Sequence, residues 1–581
     1  MAMLSPGVEV LEIDASGIVP TVSNSIAVFG GSFAKGPAAI YKLVTNSVEL
    51  EGFYGKPTTA NYNDWYQCKT FLDYGNLLLV SRGLSASASN SIFFAQAETQ
   101  TIEISAATVQ ALVDNGNSTV TNETVYETLE GSIQFPTDTT VAASIKIMAK
   151  NPGSWGDEIA VAIAKPSDFS ILTPKYAFSG ISLNDQFDYF PQPANNSVSG
   201  YYEYAILVQY KGEVVERFIV SFNEDARDSS NKTIYIESLI NSQSKYIFVK
   251  ENKTITAALA DENKCKSYLY SNTVDAFKDS NLSYGDDGVA LTNGEITNAY
   301  DIFLNKEEID IDIVIGNEQN PLAAINLAEG RKDCIAFVGA KYGDTVGKTA
   351  SDAVSALITW RTTGEMAVNS SYVVAGANYI NVYDKYSDRY KWINVAGTLA
   401  GLRAATNTSL ASWWASAGLE RGQLKNVTKL AFNPNQGQRD FIYKNGMNPI
   451  VAFPGQGTVL WGQKTLLDKP SSFDRVNVRG LFITLERALW KMAKYQVFEF
   501  NDSFTRNRIS AMINPFLSTV QSGRGIEDFL VVCDTTNNTP DIVSRNQLVV
   551  DVFIKPTYVA EFIQLRFTNA GTNSFASIVG A

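Results

Sequence analysis

The chain has 581 residues, 45% hydrophobic and 18% charged, enough for three or four folded domains and too many for one core. It contains no histidine, which removes Ser-His-Asp and Cys-His catalysis and every histidine-based metal site. Asp and Glu number 60 against 47 Lys and Arg, and the net charge of −13 makes a surface that phosphate backbones repel, so direct nucleic-acid binding is not expected.

From the N-terminus, residues 5–13 read as a short extended arm. Pro6 and Gly7 keep it out of a helix, and Val8, Val10, Leu11 and Ile13 give it strand character. Such a strand must pair, either within its own chain or with a neighbour. No signal peptide is expected, because a basic start followed by a long apolar run is missing. The uncharged stretch 15–34 holds Pro20 and many Ser, Asn and Gly, which argues against a membrane span.

Residues 25–38 form a strand and a Gly-rich turn. Gly30-Gly31 lacks the third spaced glycine and the Lys-Ser/Thr pair of a phosphate loop. A β-α-β run follows, ending in the strand near residues 76–84. From 85 to 140 the composition shifts to Ser, Thr, Ala, Asn and Gln, a linker leading into a β-rich inserted module. Asn151-Pro152-Gly153 predicts a turn with Trp155 packed under it, and Lys211-Gly212 a hairpin turn between two strands. Asp286 and Asp287 suggest a cation loop, but the calcium ligand series does not continue and a tight turn is the expectation. Gly347-Lys348-Thr349 after a strand suggests a nucleotide-binding loop. That motif needs glycine five residues before Gly347, where Tyr342 stands, with Gly343 one place out of register. The four cysteines, Cys68, Cys265, Cys334 and Cys533, are scattered and predict buried free thiols, with neither a disulfide framework nor a zinc site.

Strand, turn and return strand are expected around Tyr383–Trp392, then a Gly-rich helix over 395–404. Trp413-Trp414 and Glu420-Arg421 read as packing features. Apolar residues at Val478, Leu481, Phe482, Leu485, Leu489 and Met492 predict an amphipathic helix, with Asp474 placed to cap it. Its other face carries Arg475, Arg479, Arg487, Lys491 and Lys494, with Glu486 the only acid, and reads either as a solvated face or as a contact surface. A second helix follows from Ile509 to Val520, bent by Pro515 and stopped by Gly523 and Gly525. Three strands are expected after it. The second has Leu548, Val550, Val552 and Ile554 on one face, and the third has Val559, Ile563, Leu565 and Phe567. Beyond the Asn569-Ala570-Gly571 link, Phe575, Ile578 and Val579 make the last residues too apolar for a free tail.

Several runs carry a resemblance to a known family. They are the SPGV start, the NPGSWG segment at 151–156, the YGDDG loop at 284–288, the stretch 370–407, the segment KPSSFDRVNVRG at 469–480 and GRGIEDFLVVCD at 523–534. In order and wording these are similar to tail sheath proteins of contractile-tail bacteriophages and related injection systems. The resemblance implies an α+β multidomain chain. An N-terminal arm (1–22) would be donated to a neighbour, and a middle α/β core would combine 23–95 with 300–465. A β-rich outer domain (96–299) would be inserted in the core, followed by an inner α+β domain (466–570) with a strand-exchanged sheet and a C-terminal arm (571–581). It further implies a structural subunit with no cofactor and no enzymatic activity. Copies would stack in hexameric rings around an inner tail tube and meet baseplate and tail terminator proteins, in a virion tail assembled in the host bacterial cytoplasm without direct membrane insertion. The arms would use Val8, Val10, Leu11, Ile13, Phe575, Ile578 and Val579. The acceptor strands would use Leu548, Val550, Val552, Ile554, Ile563, Leu565 and Phe567. Arg479, Arg487, Lys491 and Lys494 would face the tube. Two other classes remain as alternatives: a carboxylate-pair glycosidase, which no motif singles out, and a surface array or adhesin protein, which the missing leader disfavours.

Overall fold

A computed structural model describes residues 25–38, 40–97, 143–169, 177–178, 181–182, 186–257, 259, 261–268 and 281–564. At its centre lies a six-stranded sheet in the order Val373–Gly376, Ile335–Gly339, Ile313–Ile315, Ala27–Gly31, Leu78–Arg82 and Tyr41–Val44. All but the edge strand Tyr41–Val44 run parallel. The interior strands are continuously apolar because both faces are covered, as parallel sheets require. Phe29, Ile313 and Ile315 enter one core with Trp65, Phe71 and Leu399, while Val28, Val314 and Ala336 enter the other with Tyr300, Leu327 and Leu357.

Helices Tyr62–Leu72 and Ala396–Ser409 cover the first face. They approach so closely that a Cβ on Gly397 would lie 2.1 Å from the Gln67 carbonyl oxygen, which explains the small residues of the Gly-rich helix. Helices Asn293–Asp301, Pro321–Arg331 and Ala350–Thr362 cover the other. Thr349 caps the last of these, accepting from Asp352 N, so the Gly-Lys-Thr run is the start of a packed helix.

The segment between the strands Leu78–Arg82 and Ile313–Ile315 builds its own core. Two three-stranded antiparallel sheets, one of Ile159–Ala164, Glu203–Tyr210 and Glu213–Ser221, the other of Ile92–Gln96, Ala143–Ala149 and Ile247–Glu251, enclose Ile147, Val161, Ile206 and Val249. Lys211 and Gly212 make the hairpin turn at φ 54° and 86°. Trp155 is buried and donates to the Asn151 carbonyl at 3.1 Å, closing the Asn-Pro-Gly turn. The chain enters and leaves this module side by side, through the bridges Ser89–Asp286 and Ile92–Ser283. Asp287 accepts from the Ser154 hydroxyl at 2.6 Å in the predicted tight turn. Arg82, at the end of a core strand, donates to the carbonyls of Phe33, Gly36 and Pro152 and so ties core to module.

The expected boundaries at 96 and 299 shift. Ile92–Gln96 pairs with Ala143–Ala149 and belongs to the module. Helix Asn293–Asp301 already packs on the central sheet, with the Tyr300 hydroxyl donating to Ile315 O at 2.6 Å.

In open α/β sheets ligands bind beyond the strand ends where the strand order reverses, here between Ala27–Gly31 and Ile313–Ile315. The chain's own side chains close this crevice. Asp64 accepts from Ser32 N at 2.8 Å and from Asn317 at 3.0 Å. Glu318 accepts from Asn63 at 2.6 Å, from the Tyr379 hydroxyl at 2.5 Å and from Tyr342 N at 2.7 Å. These half-buried acids are acceptors that fasten the sheet's end to its helices. The four cysteines are buried and free.

Candidate assembly interface

The basic helix runs Val476–Lys494 and the next Ser503–Ser522. Their facing stripes, Leu481, Leu485 and Ala488 against Ile509, Ile513, Leu517 and Val520, form a separate core. Leu548, Val550, Val552 and Ile554 pack on its margin, as their alternation predicts. Asp474 does not cap the helix. It closes a short turn, Ser472–Asp474, and pairs with Arg475 at 2.8 Å, while the helix starts at Arg475 without a side-chain cap. Pro515 lies inside the second helix, which is assigned as one span to Ser522.

The basic face divides in two, and the expectation of four cations aimed at a partner is corrected for Arg479 and Arg487. Both are buried. Arg479 donates to Ser371 Oγ at 2.6 Å and to the Tyr372 hydroxyl at 3.3 Å, with its guanidinium over the rings of Phe473 and Tyr372. Burial holds it below the usual arginine range. Arg487 donates to Asp312 and to the carbonyls of Ile311 and Asp333 at 2.7 and 2.8 Å. Burial works against its charge, but Asp312 and Asp310 outweigh it and hold Arg487 above its ordinary value. The cost of burial raises the Asp312 carboxyl against the pull of Arg487. These two arginines latch the helix to the central sheet. Lys491 is half-buried and pairs with Asp310 at 2.7 Å; Lys494 is exposed beside the Trp490 ring. The partners of Arg487 and Lys491 come from the run Ile-Asp-Ile-Asp-Ile at 309–313, whose alternating acids were the available signal for a docking edge.

The strands Ile526–Val532 and Asp551–Pro556 form an antiparallel hairpin whose outer edges carry no further strand among the described residues. One face meets the two helices; on the other, Leu530 and Phe553 sit opposite each other, both more than half exposed. The expected third strand is not present over 557–564. Ile563 lies there in irregular, exposed chain, because Glu561 is drawn away to Arg475 in a two-pronged pair at 2.6 and 2.9 Å. Leu565, Phe567, both terminal arms and their residues Val8, Val10, Leu11, Ile13, Phe575, Ile578 and Val579 lie outside the described residues. Sequence reasoning missed the junction between the helices, where Tyr495, Phe498 and Phe500 in the loop and Phe504 in the first turn of the second helix are strongly exposed; the run Val-Phe-Glu-Phe directly after a basic helix was its only signal.

Two family models match this chain. Residues 290–466 fit the phage tail sheath protein central domain and residues 468–569 the phage tail sheath C-terminal domain. Both models are of the phage tail sheath family, and between them they span residues 290–569. The chain is 29% identical to the tail sheath protein of Vibrio phage KVP40 over the whole of both chains. To the tail sheath protein of Enterobacteria phage T4 it is 28% identical, covering 99% of this chain and 98% of that one. The fold matches the crystal structure of a sheath tail protein from Listeria innocua with a TM-score of 0.52 at 9% identity, over 92% of each chain. The sheath family match reaches from the central sheet to the hairpin, so helix, latch and open-edged hairpin all lie within it.

Proposed function

We propose that this contractile-tail sheath subunit polymerises around an inner tube by exchanging its terminal strands with neighbouring copies. The reading rests on the hairpin Ile526–Val532/Asp551–Pro556, whose edges carry no further strand among the described residues, and on exposed Leu530 and Phe553. An exposed edge of unpaired backbone groups invites strand addition. Val552 and Ile554 with Leu548 and Val550 fix the hairpin's packed face, and the arms around Val8–Ile13 and Phe575–Val579 supply the strands. Each added strand contributes about 1 kcal/mol per ladder bond, modest singly and large when every copy makes several. Such links survive contraction, because a paired strand can swing on its linker without losing its bonds.

In this reading the domain that begins near 466 lies inward, the module between about 85 and 290 lies outward, and Lys491 and Lys494 meet acidic groups on the tube. Rings of six, contacts with baseplate and terminator proteins, and assembly in the host bacterial cytoplasm belong to the same proposal. Deleting residues 1–14 or 572–581 is expected to leave a folded subunit that does not polymerise, as judged by circular dichroism and electron microscopy. Sheaths of normal length from either deletion would refute strand exchange.

A further inference from the structure

A cavity of about 440 Å³ lies where the chain leaves the central sheet for the C-terminal helices. Arg361, in the last turn of Ala350–Thr362, lines it together with Lys444, the final residue of the helix Gln436–Lys444, and Lys464. Arg361 is only 5% exposed. Its two terminal nitrogens donate to the carbonyls of Met366 and Leu466 at 3.0 and 3.1 Å and to the Asp468 carboxylate. Its Nε is buried and has no acceptor. That nitrogen lies toward Gly446 on the cavity wall, where a Cβ would stand 3.9 Å from it. A buried donor without an acceptor is costly, and native proteins leave few of them.

The two lysines are unpaired as well: among the described residues neither Nζ has a hydrogen bond or an ion pair. Lys464 is half-buried with its Nζ 4.6 Å from the centre of the Tyr443 ring, and burial, with Arg475 nearby, holds its ammonium below the ordinary value. Lys444 is exposed and does not serve as a helix cap. The carbonyls of Phe441, Ile442 and Tyr443 are already taken by the Asn445 amide and by the backbone N–H groups of Asn445, Gly446 and Met447. Two acids reach the same cavity, and both are engaged elsewhere, Asp468 with Arg361 and Asp474 with Arg475 at 2.8 Å. Asp468 also shows what the place accepts: a carboxylate oxygen sits on Nη2 of the guanidinium and leaves the neighbouring Nε unused.

We propose that the cavity bounded by Arg361, Lys444 and Lys464 binds an oxyanion, a carboxylate or a phosphate group. Guanidinium and ammonium donors form short, charge-assisted hydrogen bonds with such groups, and the volume suits a small ligand or an inserted side chain. Two sources carry this chemistry. One is a free anion; the other is an acidic side chain of a second copy, whose chain holds 60 Asp and Glu. The second source rests on the reading that copies of this chain assemble, and the first does not. In both cases the occupant ties the helix Gln436–Lys444 to the segment 464–474, where the two matched family models meet.

The test uses the full-length chain before assembly, titrated with inorganic phosphate and, as the carboxylate probe, citrate, by calorimetry in chloride buffer of fixed ionic strength. Saturable binding of one anion per chain is expected. Lys444→Gln with Lys464→Gln should weaken it at least about tenfold, the loss expected for charge-assisted bonds, while Lys42→Gln, away from the cavity, should leave it unchanged. Arg361 is left intact because it also holds two carbonyls. Lys444→Gln alone, at an exposed position, should weaken binding without altering the melting temperature, so the test stands even if the double variant is less stable. No saturable binding of either anion by the parent chain overturns the proposal, as does equal binding by the parent and both variants. The same titration on assembled polymer separates the sources. A site still open to phosphate means a free anion is the occupant; a site open in the unassembled chain and closed in the polymer means a neighbour's carboxylate fills it.

Discussion

Arg487 shows how a surface charge in sequence becomes an internal fastener. Its guanidinium reaches across to Asp312 and to two backbone carbonyls on the central sheet. Asp312 in turn accepts from Ile26 N at 3.3 Å, at the foot of the first strand. Removing the arginine strands a buried carboxylate, and breaking a buried pair in this way costs about 3–5 kcal/mol. Arg487→Ala should therefore lower stability by about 3 kcal/mol in urea unfolding. Adding Asp312→Asn should restore part of it, because the uncompensated charge is then gone. Asp64 offers a second reading at this scale. Burial pushes its carboxyl up to about 7, against hydrogen bonds from Ser32 and Asn317 that pull it down. An unfolded aspartate titrates near about 3.9. The folded chain thus holds this proton to higher pH than the unfolded chain, so stability falls as pH rises from about 4 to about 7 and the cost is full above that. Asp64→Asn removes the charge and keeps an acceptor. In thermal melts at pH 8 it should gain about 1–2 kcal/mol over the parent, and at pH 5 the gain should shrink, by the same linkage.

The long helix Val476–Lys494 was legible because its 3.6-residue stripe is a local property, and both ends fell within two residues of the expected pattern. What its basic face touches was not legible, since Ser371 and Asp312 lie more than a hundred residues away in sequence. Lys491 and Lys494 remain at the surface, where exposed pairs contribute about 0–1 kcal/mol each and weaken with salt. Lys491→Glu with Lys494→Glu should impair assembly on tubes while leaving the melting temperature within about 2 °C, as expected for surface substitutions; unchanged co-assembly at low salt would argue against a tube contact. The third C-terminal strand failed for a different reason. Alternation at Val559, Ile563, Leu565 and Phe567 says that one face is apolar, but not that a partner strand lies within reach, and Glu561 is claimed by Arg475 instead. The first strands of the central sheet, by contrast, were readable from the β-α-β run that ends near residues 76–84. The closed crevice at the sheet's end was not, because it depends on Asp64 and Glu318 meeting donors from five separate segments.

For the whole molecule, the inserted module is built as an attachment to the core, not as part of it. Its two sheets share a core of their own, and its entry and exit touch, with Ser85 against Gly288. Replacing residues 87–287 by a short Gly-Ser joiner should leave a folded core, because the closure entropy of a short loop is small. Calorimetry should show one cooperative transition for the shortened chain; loss of the transition would mean that the module supports the core, through Arg82 and Pro152 among others.

The strand order carries a further consequence, for the making of the protein. Ala27–Gly31 sits in the middle of the central sheet, with Leu78–Arg82 on one side and Ile313–Ile315 on the other. A ribosome adding about 5–20 residues per second delivers the second neighbour roughly 10–50 s after the first. During that interval the β-rich module can close on its own core, while the apolar edge of Ala27–Gly31 waits uncovered. The nascent chain is therefore most exposed to misassociation before residue 313 emerges, and crowding many copies on one message should raise aggregation at that stage more than at any later one.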